Sequence, residues 1–228
     1  ITYAPLQRQA VELAAKVGVI LLTGGPGTGK TTTVRGIVAL FQKMGLNIVL
    51  AAPTGRAAKM LARYAGEKAL TIHKRIYRQR TNAEYESKFS LNLNPERGAV
   101  FIVDEASMLS DRSSEGALFG SGSLLADLIE YVRSGRACRL ILVGDSAQLP
   151  PVGCDFSPAL DPATLASYGE VVYAAMDEVV RQEAESGILF NATLVRCMLE
   201  NGIYEIPRFR LDFPDVEAIG GGEFLEKL

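Results

Sequence analysis

The chain has little from which to build a metal or redox centre. A single histidine, His73, excludes a multi-histidine site. The three cysteines, Cys138, Cys154 and Cys197, are scattered and odd in number, without the spacing of a zinc site or a disulfide framework. They read as reduced thiols, and the expectation is a cytoplasmic protein. No apolar run is long enough to span a bilayer, and the opening residues carry no secretory pattern, so no membrane partner is expected. An excess of one charge is missing too: 24 Lys and Arg against 26 Asp and Glu leave a formal net charge of −2. A nucleic-acid partner would have to be met by a local basic surface. One stretch qualifies. Arg56, Lys59, Arg63, Lys68, Lys74, Arg75, Arg78 and Arg80 follow one another closely, with Tyr64 and Tyr77 among them. The default reading of such a run is a solvated face.

What is present is material for a core. With 228 residues, 48% of them hydrophobic, the chain can form one large domain, or one domain plus part of another.

The rest is organised around Gly24-Gly25-Pro26-Gly27-Thr28-Gly29-Lys30-Thr31, which fits G-x-x-x-x-G-K-[ST]. Glycines let a backbone approach phosphates closely and point successive N–H groups at them. A lysine at position 30 can reach the β- and γ-phosphates, and the Thr31 hydroxyl is placed to ligate Mg²⁺. The motif's context is also right. Val19-Ile20-Leu21-Leu22 reads as a buried strand, and Val34, Ile37, Val38 and Phe41 recur with helical period behind the loop. The N-terminus of that helix directs N–H groups at the anion. Gly25, Pro26, Gly27, Thr28, Gly29, Lys30, Thr31 and Thr32 are thus the candidate nucleotide-binding positions, with a nucleoside triphosphate and Mg²⁺ the expected ligands.

Further along, residues 5–17 predict a helix carrying Gln9, and Asn47–Ala52 a second strand ended by Pro53. A helix follows over 55–65, with Thr54, Gly55 and Arg56 at its start. Residues 78–97 read as an irregular excursion with a short hairpin near 88–93. Ala99–Val103 is a third strand, and residues 110–123 predict a flexible loop. Leu125, Leu128, Ile129 and Val132 mark a helix, and Leu140–Val143 a fourth strand. Val171-Val172-Tyr173 is a candidate strand. Ile188, Ala192, Val195 and Leu199 mark a last helix, after which no element is predicted. Continuous apolar strands alternating with helices argue an α/β fold, a mostly parallel sheet with helices on both faces.

Two strand ends carry further chemistry. Asp104-Glu105 ends the third strand, where an aspartate can hold Mg²⁺ and a glutamate can take a proton from the attacking water. Gln148, in Gly144-Asp145-Ser146-Ala147-Gln148, follows the fourth. Its amide suits either a sensor of the γ-phosphate or a polar loop residue without phosphate contact.

Gln9, GGPGTGKTT, Ala52-Pro53-Thr54-Gly55-Arg56-Ala57-Ala58, Thr71-Ile72-His73-Lys74, VDEASML, GDSAQLPPVG and Glu178-Val179-Val180-Arg181-Gln182 occur in that order. Together they resemble the first half of a RecD-like superfamily 1 DNA helicase, the branch that includes the Pif1 and Dda helicases. The resemblance covers about residues 5–200 and implies a RecA-like P-loop NTPase domain. It implies that Gln9 contacts adenine, that Lys30 and Thr31 bind phosphate and Mg²⁺, and that Asp104 holds Mg²⁺. Glu105 becomes the catalytic base, Gln148 the link from γ-phosphate to the DNA-binding elements, and Arg181 the arginine that reaches the γ-phosphate. Pro53, Thr54, Gly55, Arg56, Thr71 and His73 become the grip on single-stranded DNA, with a core or capping role the alternative for His73.

Movement is expected to run 5′ to 3′, in recombination or repair, by a monomer that meets other proteins of those processes. The family's later segments, Thr-x-His-Lys-x-Gln-Gly-like and Ala-Leu-Thr-Arg-like, are not in this sequence. Residues 1–165 are therefore expected to form the first motor domain. Residues 166–228 would form its end and the beginning of a truncated second, so that this chain alone would hydrolyse ATP without unwinding. Two other readings remain: a nucleotide-dependent switch that docks on a partner without translocating, and a P-loop hydrolase acting on RNA.

Overall fold

The central apolar runs of the sequence become buried strands. A computed structural model describes residues 8, 9, 12, 18–81, 87–112, 118–176, 186–220, 222 and 223. The main sheet is built from β1 (Val19–Gly24), β2 (Ile48–Ala52), β3 (Ala69–Thr71), β6 (Val100–Val103), β7 (Arg139–Gly144) and β8 (Val171–Met176). Their order is β3-β2-β6-β7-β1-β8, and every pairing is parallel. A separate antiparallel hairpin joins β4 (Tyr77–Thr81) to β5 (Ser87–Leu91).

Alternation along the central strands explains why they are apolar throughout. Leu21, Phe101, Val103, Leu140 and Leu142 enter one core cluster. Ile20, Leu22, Val100, Ile102, Ile141 and Val143 enter the other. Successive side chains point to opposite faces, and both faces are covered. On one side lie α1 (Lys30–Lys43), with Val34, Ile37, Val38 and Phe41 buried, and α2 (Gly55–Ala65), with Leu61 buried. On the other lie α3 (Ile72–Ile76) and α4 (Leu124–Ser134), which contribute Ile72, Ile76, Leu125, Leu128, Ile129 and Val132. The remaining helices are the short α5 (Pro162–Ala166) and α6 (Gly187–Glu200).

The α/β architecture expected from the pattern is present, the last predicted helix included as α6, with three differences in detail. β3 was not anticipated. The hairpin is longer than expected, opening at Tyr77 rather than near 88, because Phe89 and Leu91 pack against the core. β8 runs on to Met176, held against β1 along its whole length. In α6 the periodic residues Ile188 and Leu199 are 64% and 52% exposed, so that stripe is helical without being a buried face. Of the predicted first helix, Arg8, Gln9 and Glu12 are helical and exposed.

Candidate nucleotide site at the carboxyl edge of the sheet

All parallel strands end at one edge, and the candidate residues sit on the loops that leave it. This is where open α/β sheets place ligands. The P-loop runs from β1 into α1. Gly27 (φ 74°) and Gly29 (φ 80°) are in the left-handed region that glycine enters without steric cost. At Gly24 a Cβ would stand 2.5 Å from Thr28 Oγ1 and 2.9 Å from the Met176 carbonyl. Gly29 caps α1 with no side-chain hydrogen bond, and the first turn carries no acidic residue. The helix start is therefore a cradle of backbone N–H groups, suited to an anion. Lys30 Nζ donates to the carbonyls of Gly24 (2.5 Å) and Gly25 (2.7 Å). Burial lowers its pKa, Arg196 adds to that, and Asp145, Asp104 and Glu105 oppose it.

β6 delivers the two acids in unlike states. Asp104 is gripped on both oxygens: its Oδ1 accepts the Glu105 N–H at 2.9 Å and its Oδ2 the Tyr64 hydroxyl at 2.6 Å. Glu105 itself has φ 56° and ψ 40°, a left-handed conformation uncommon outside glycine. Strained backbone of this kind clusters at functional sites. Burial raises the Glu105 pKa, as do Asp104 and Asp145, while Lys30 and a side-chain hydrogen bond with Gln148 lower it. Gln148 comes from the loop after β7, and its Oε1 accepts the Ser107 hydroxyl at 3.1 Å. An ionised Glu105 carboxylate only accepts, so the N–H₂ of the amide is the end that serves it. Among the described residues no group of three or more His, Cys, Asp or Glu side chains could hold a metal ion by itself. A site with one carboxylate and one hydroxyl suits Mg²⁺, which keeps waters and shares its coordination with substrate phosphates.

The segments expected to grip a strand lie on the adjoining part of this edge. Ala52 pairs with Thr71, so Pro53–Arg56 and Thr71–His73 leave the sheet side by side. Both threonines cap helices: Thr54 Oγ1 accepts from Ala57 N–H at 3.1 Å and Thr71 Oγ1 from Lys74 N–H at 3.3 Å. Capping uses a lone pair and leaves each hydroxyl hydrogen able to donate. Arg56 is exposed, as are Lys59, Arg63, Lys68, Lys74 and Arg78, whereas Arg75 is half-buried and paired with Glu96. The two tyrosines interleaved with these cations serve carboxylates instead: Tyr64 binds Asp104, and Tyr77, buried, donates to Asp127 at 2.5 Å. His73 packs edge-on against Phe119 at 5.0 Å, and burial lowers its pKa, which favours the neutral ring.

Gln9 is helical and exposed, and Arg181 lies outside the described residues. Four site residues escaped the sequence reading: Tyr64, Ser107, Asp145 and Arg196. Arg196 Nη1 meets Asp145 Oδ1 at 2.5 Å. Its signal was present, since it is the one cation in the otherwise neutral run Gly187–Leu199.

The chain is similar to several known proteins. The model of the AAA domain family matches residues 7–154. The ATP-dependent RecD2 DNA helicase of Deinococcus radiodurans is 35% identical over 146 residues, which cover 64% of this chain and 18% of that protein. The RecBCD enzyme subunit RecD of Mycobacterium tuberculosis is 38% identical over 169 residues, covering 64% of this chain and 26% of that one. The chain thus spans a minor part of the curated relatives it matches. The crystal structure of Bacteroides Pif1 bound to ssDNA has the same fold, with a TM-score of 0.56 at 19% identity over 95% of this chain and 52% of that one.

Proposed function

Since the chain belongs to the AAA domain family, we propose that it is an ATP-hydrolysing motor domain of a DNA helicase of the RecD-like, Pif1-related branch of superfamily 1. The observation that carries this reading is the convergence of three strand ends. β1 supplies Lys30, β6 supplies Asp104 and Glu105, and β7 supplies Asp145 and the loop with Gln148, close enough for their charges to act on one another.

In this reading the P-loop N–H groups and Lys30 bind the phosphates. Thr31 and Asp104 would hold Mg²⁺, which would supply neutralising charge to the phosphates. Glu105, with its pKa raised by burial, takes the proton of the attacking water, and Gln148 orients that carboxylate. Gln9 would meet the adenine and Arg181 the γ-phosphate. Residues 1–165 would form the first motor domain, with β8 completing its sheet and a second domain beginning within residues 166–228. Single-stranded DNA would lie across Pro53–Arg56 and Thr71–His73, with movement 5′ to 3′ in recombination or repair. The paired Ala52 and Thr71, which bring those two segments together, support that path.

Labelled oligodeoxynucleotide and oligoribonucleotide binding, each at two salt concentrations, tests it. Phosphate and base-face contacts predict DNA binding that is insensitive to sequence and falls steeply with salt. Equal binding of the ribo-strand would favour RNA as substrate, because the 2′-hydroxyl is what separates the two. Binding of neither strand would leave the nucleotide-dependent switch.

A further inference from the structure

The assigned chemistry leaves one strong cation unexplained. Arg196 projects from the middle of α6, a helix that is otherwise tied to the segment that follows it. Asp215 accepts the Gly187 N–H at 2.7 Å, and Asn191 exchanges two hydrogen bonds with the backbone of Arg210. The helix and the following segment to about residue 216 are therefore one tied unit. Arg196 is the side chain that leaves that unit for the P-loop. Its side chain is 15% exposed and its partner Asp145 7%. A Cβ on Gly25 would stand 2.8 Å from Arg196 Nη1, so the guanidinium lies directly over that glycine. Gly25 is also the residue whose carbonyl holds the Lys30 ammonium. Two cations thus converge on the start of the P-loop, where Lys30 meets the terminal phosphates.

We propose that Arg196 reads the terminal phosphate: its guanidinium, held by Asp145 over Gly25, binds an oxygen of a triphosphate seated in the P-loop. Through that contact it couples α6 and its attached segment to the state of the nucleotide. The proposal rests on the NTPase reading and adds to it a residue from outside the assigned motifs. The geometry asks for little movement. A guanidinium has five N–H donors in a planar fork, so one can stay on Asp145 while another meets a phosphate. Asp145 Oδ1 also accepts the Ala147 N–H at 3.0 Å, which holds the carboxylate in place while Arg196 shifts. Three acids face this region, Asp104, Glu105 and Asp145, against Lys30 and Arg196. Among the described residues Arg196 is thus the second cation, beside Lys30, that an incoming polyanion would meet there. A diphosphate lacks the group the arginine reads, and this difference gives the proposal its signature.

The test uses the whole chain and Mg²⁺ with a fluorescent ATP analogue and the matching ADP analogue. In Arg196→Ala, triphosphate affinity should fall about 10- to 100-fold, the range of a charge-assisted hydrogen bond. Diphosphate affinity should stay within about 2-fold. Arg196→Lys keeps the charge but not the fork and should recover part of the loss. It also keeps the site testable if the alanine variant folds poorly. Hydrogen exchange across 187–216 should slow with triphosphate more than with diphosphate in the parent chain, and this difference should vanish in Arg196→Ala. Equal losses for both nucleotides, or no loss for either, would overturn the assignment of Arg196 while leaving the NTPase reading in place. A parent chain that binds neither nucleotide would overturn both.

Discussion

Glu105→Gln is expected to bind ATP with nearly unchanged affinity and to hydrolyse it about 10²- to 10⁴-fold more slowly, the range that a positioned general base contributes. Glutamine keeps the size and the hydrogen bonding of the side chain but cannot accept the proton of the attacking water. The backbone hydrogen bond at this position, from the Glu105 N–H to Asp104 Oδ1, does not involve the side chain that changes. The same substitution should stabilise the fold. Burial, then the neighbouring Asp104, raises the Glu105 pKa. The folded state therefore binds this proton more tightly than the unfolded chain, and the ionised carboxylate costs stability once pH exceeds the folded pKa. Glu105→Gln should thus have a higher Tm than the parent at neutral pH. The gain should fade as pH falls through the folded pKa towards the unfolded value of about 4.3. Steady-state hydrolysis and thermal unfolding between pH 4 and 8 check both halves. Normal turnover by the glutamine variant would remove Glu105 from the mechanism.

Lys30→Ala should lose triphosphate binding. The ammonium lies on the carbonyls of Gly24 and Gly25, partly buried and opposed to the Arg196 charge. Its withdrawal removes one of the cations available to a polyanion. It also leaves two carbonyls of the loop without their donor. A hydrogen bond to a charged group contributes about 1.5–3 kcal/mol, and lost loop order adds to that. The expected loss is about 10- to 100-fold or more in triphosphate affinity, measured by titration calorimetry. Unchanged affinity would place the phosphates elsewhere.

The sequence made the central strands legible because burial on both faces demands unbroken apolar runs, and β1, β2, β6 and β7 have them. It could not mark β3, whose three residues, Ala69-Leu70-Thr71, are too short for any period to register. Nor did it show the start of the hairpin. Tyr77–Thr81 is polar along most of its length and is held by its partner strand and by Tyr77 in the core. Periodicity located α6 correctly, although Ile188 and Leu199 recur at helical spacing on an exposed side.

At the site, the P-loop and Asp104-Glu105 were readable because each combines a strand end with a specific residue type. The conformation of Glu105 was not, since glutamate gives no sign of a positive φ. Tyr64 was grouped with the basic run by its neighbours in sequence. Only the packing of α2 against the sheet brings its hydroxyl to Asp104. For Arg196 the isolated charge is visible in the sequence but its partner is not: 51 positions separate it from Asp145, and no local pattern foretells that pair.

The central claim is that this carboxyl edge turns over ATP under the control of a single strand. ATP hydrolysis by the chain, with and without a single-stranded oligodeoxynucleotide and with Lys30→Ala as the blank, tests it most directly. The account predicts Lys30-dependent turnover that rises when the strand is added. Turnover equal to that of the blank under both conditions would contradict it.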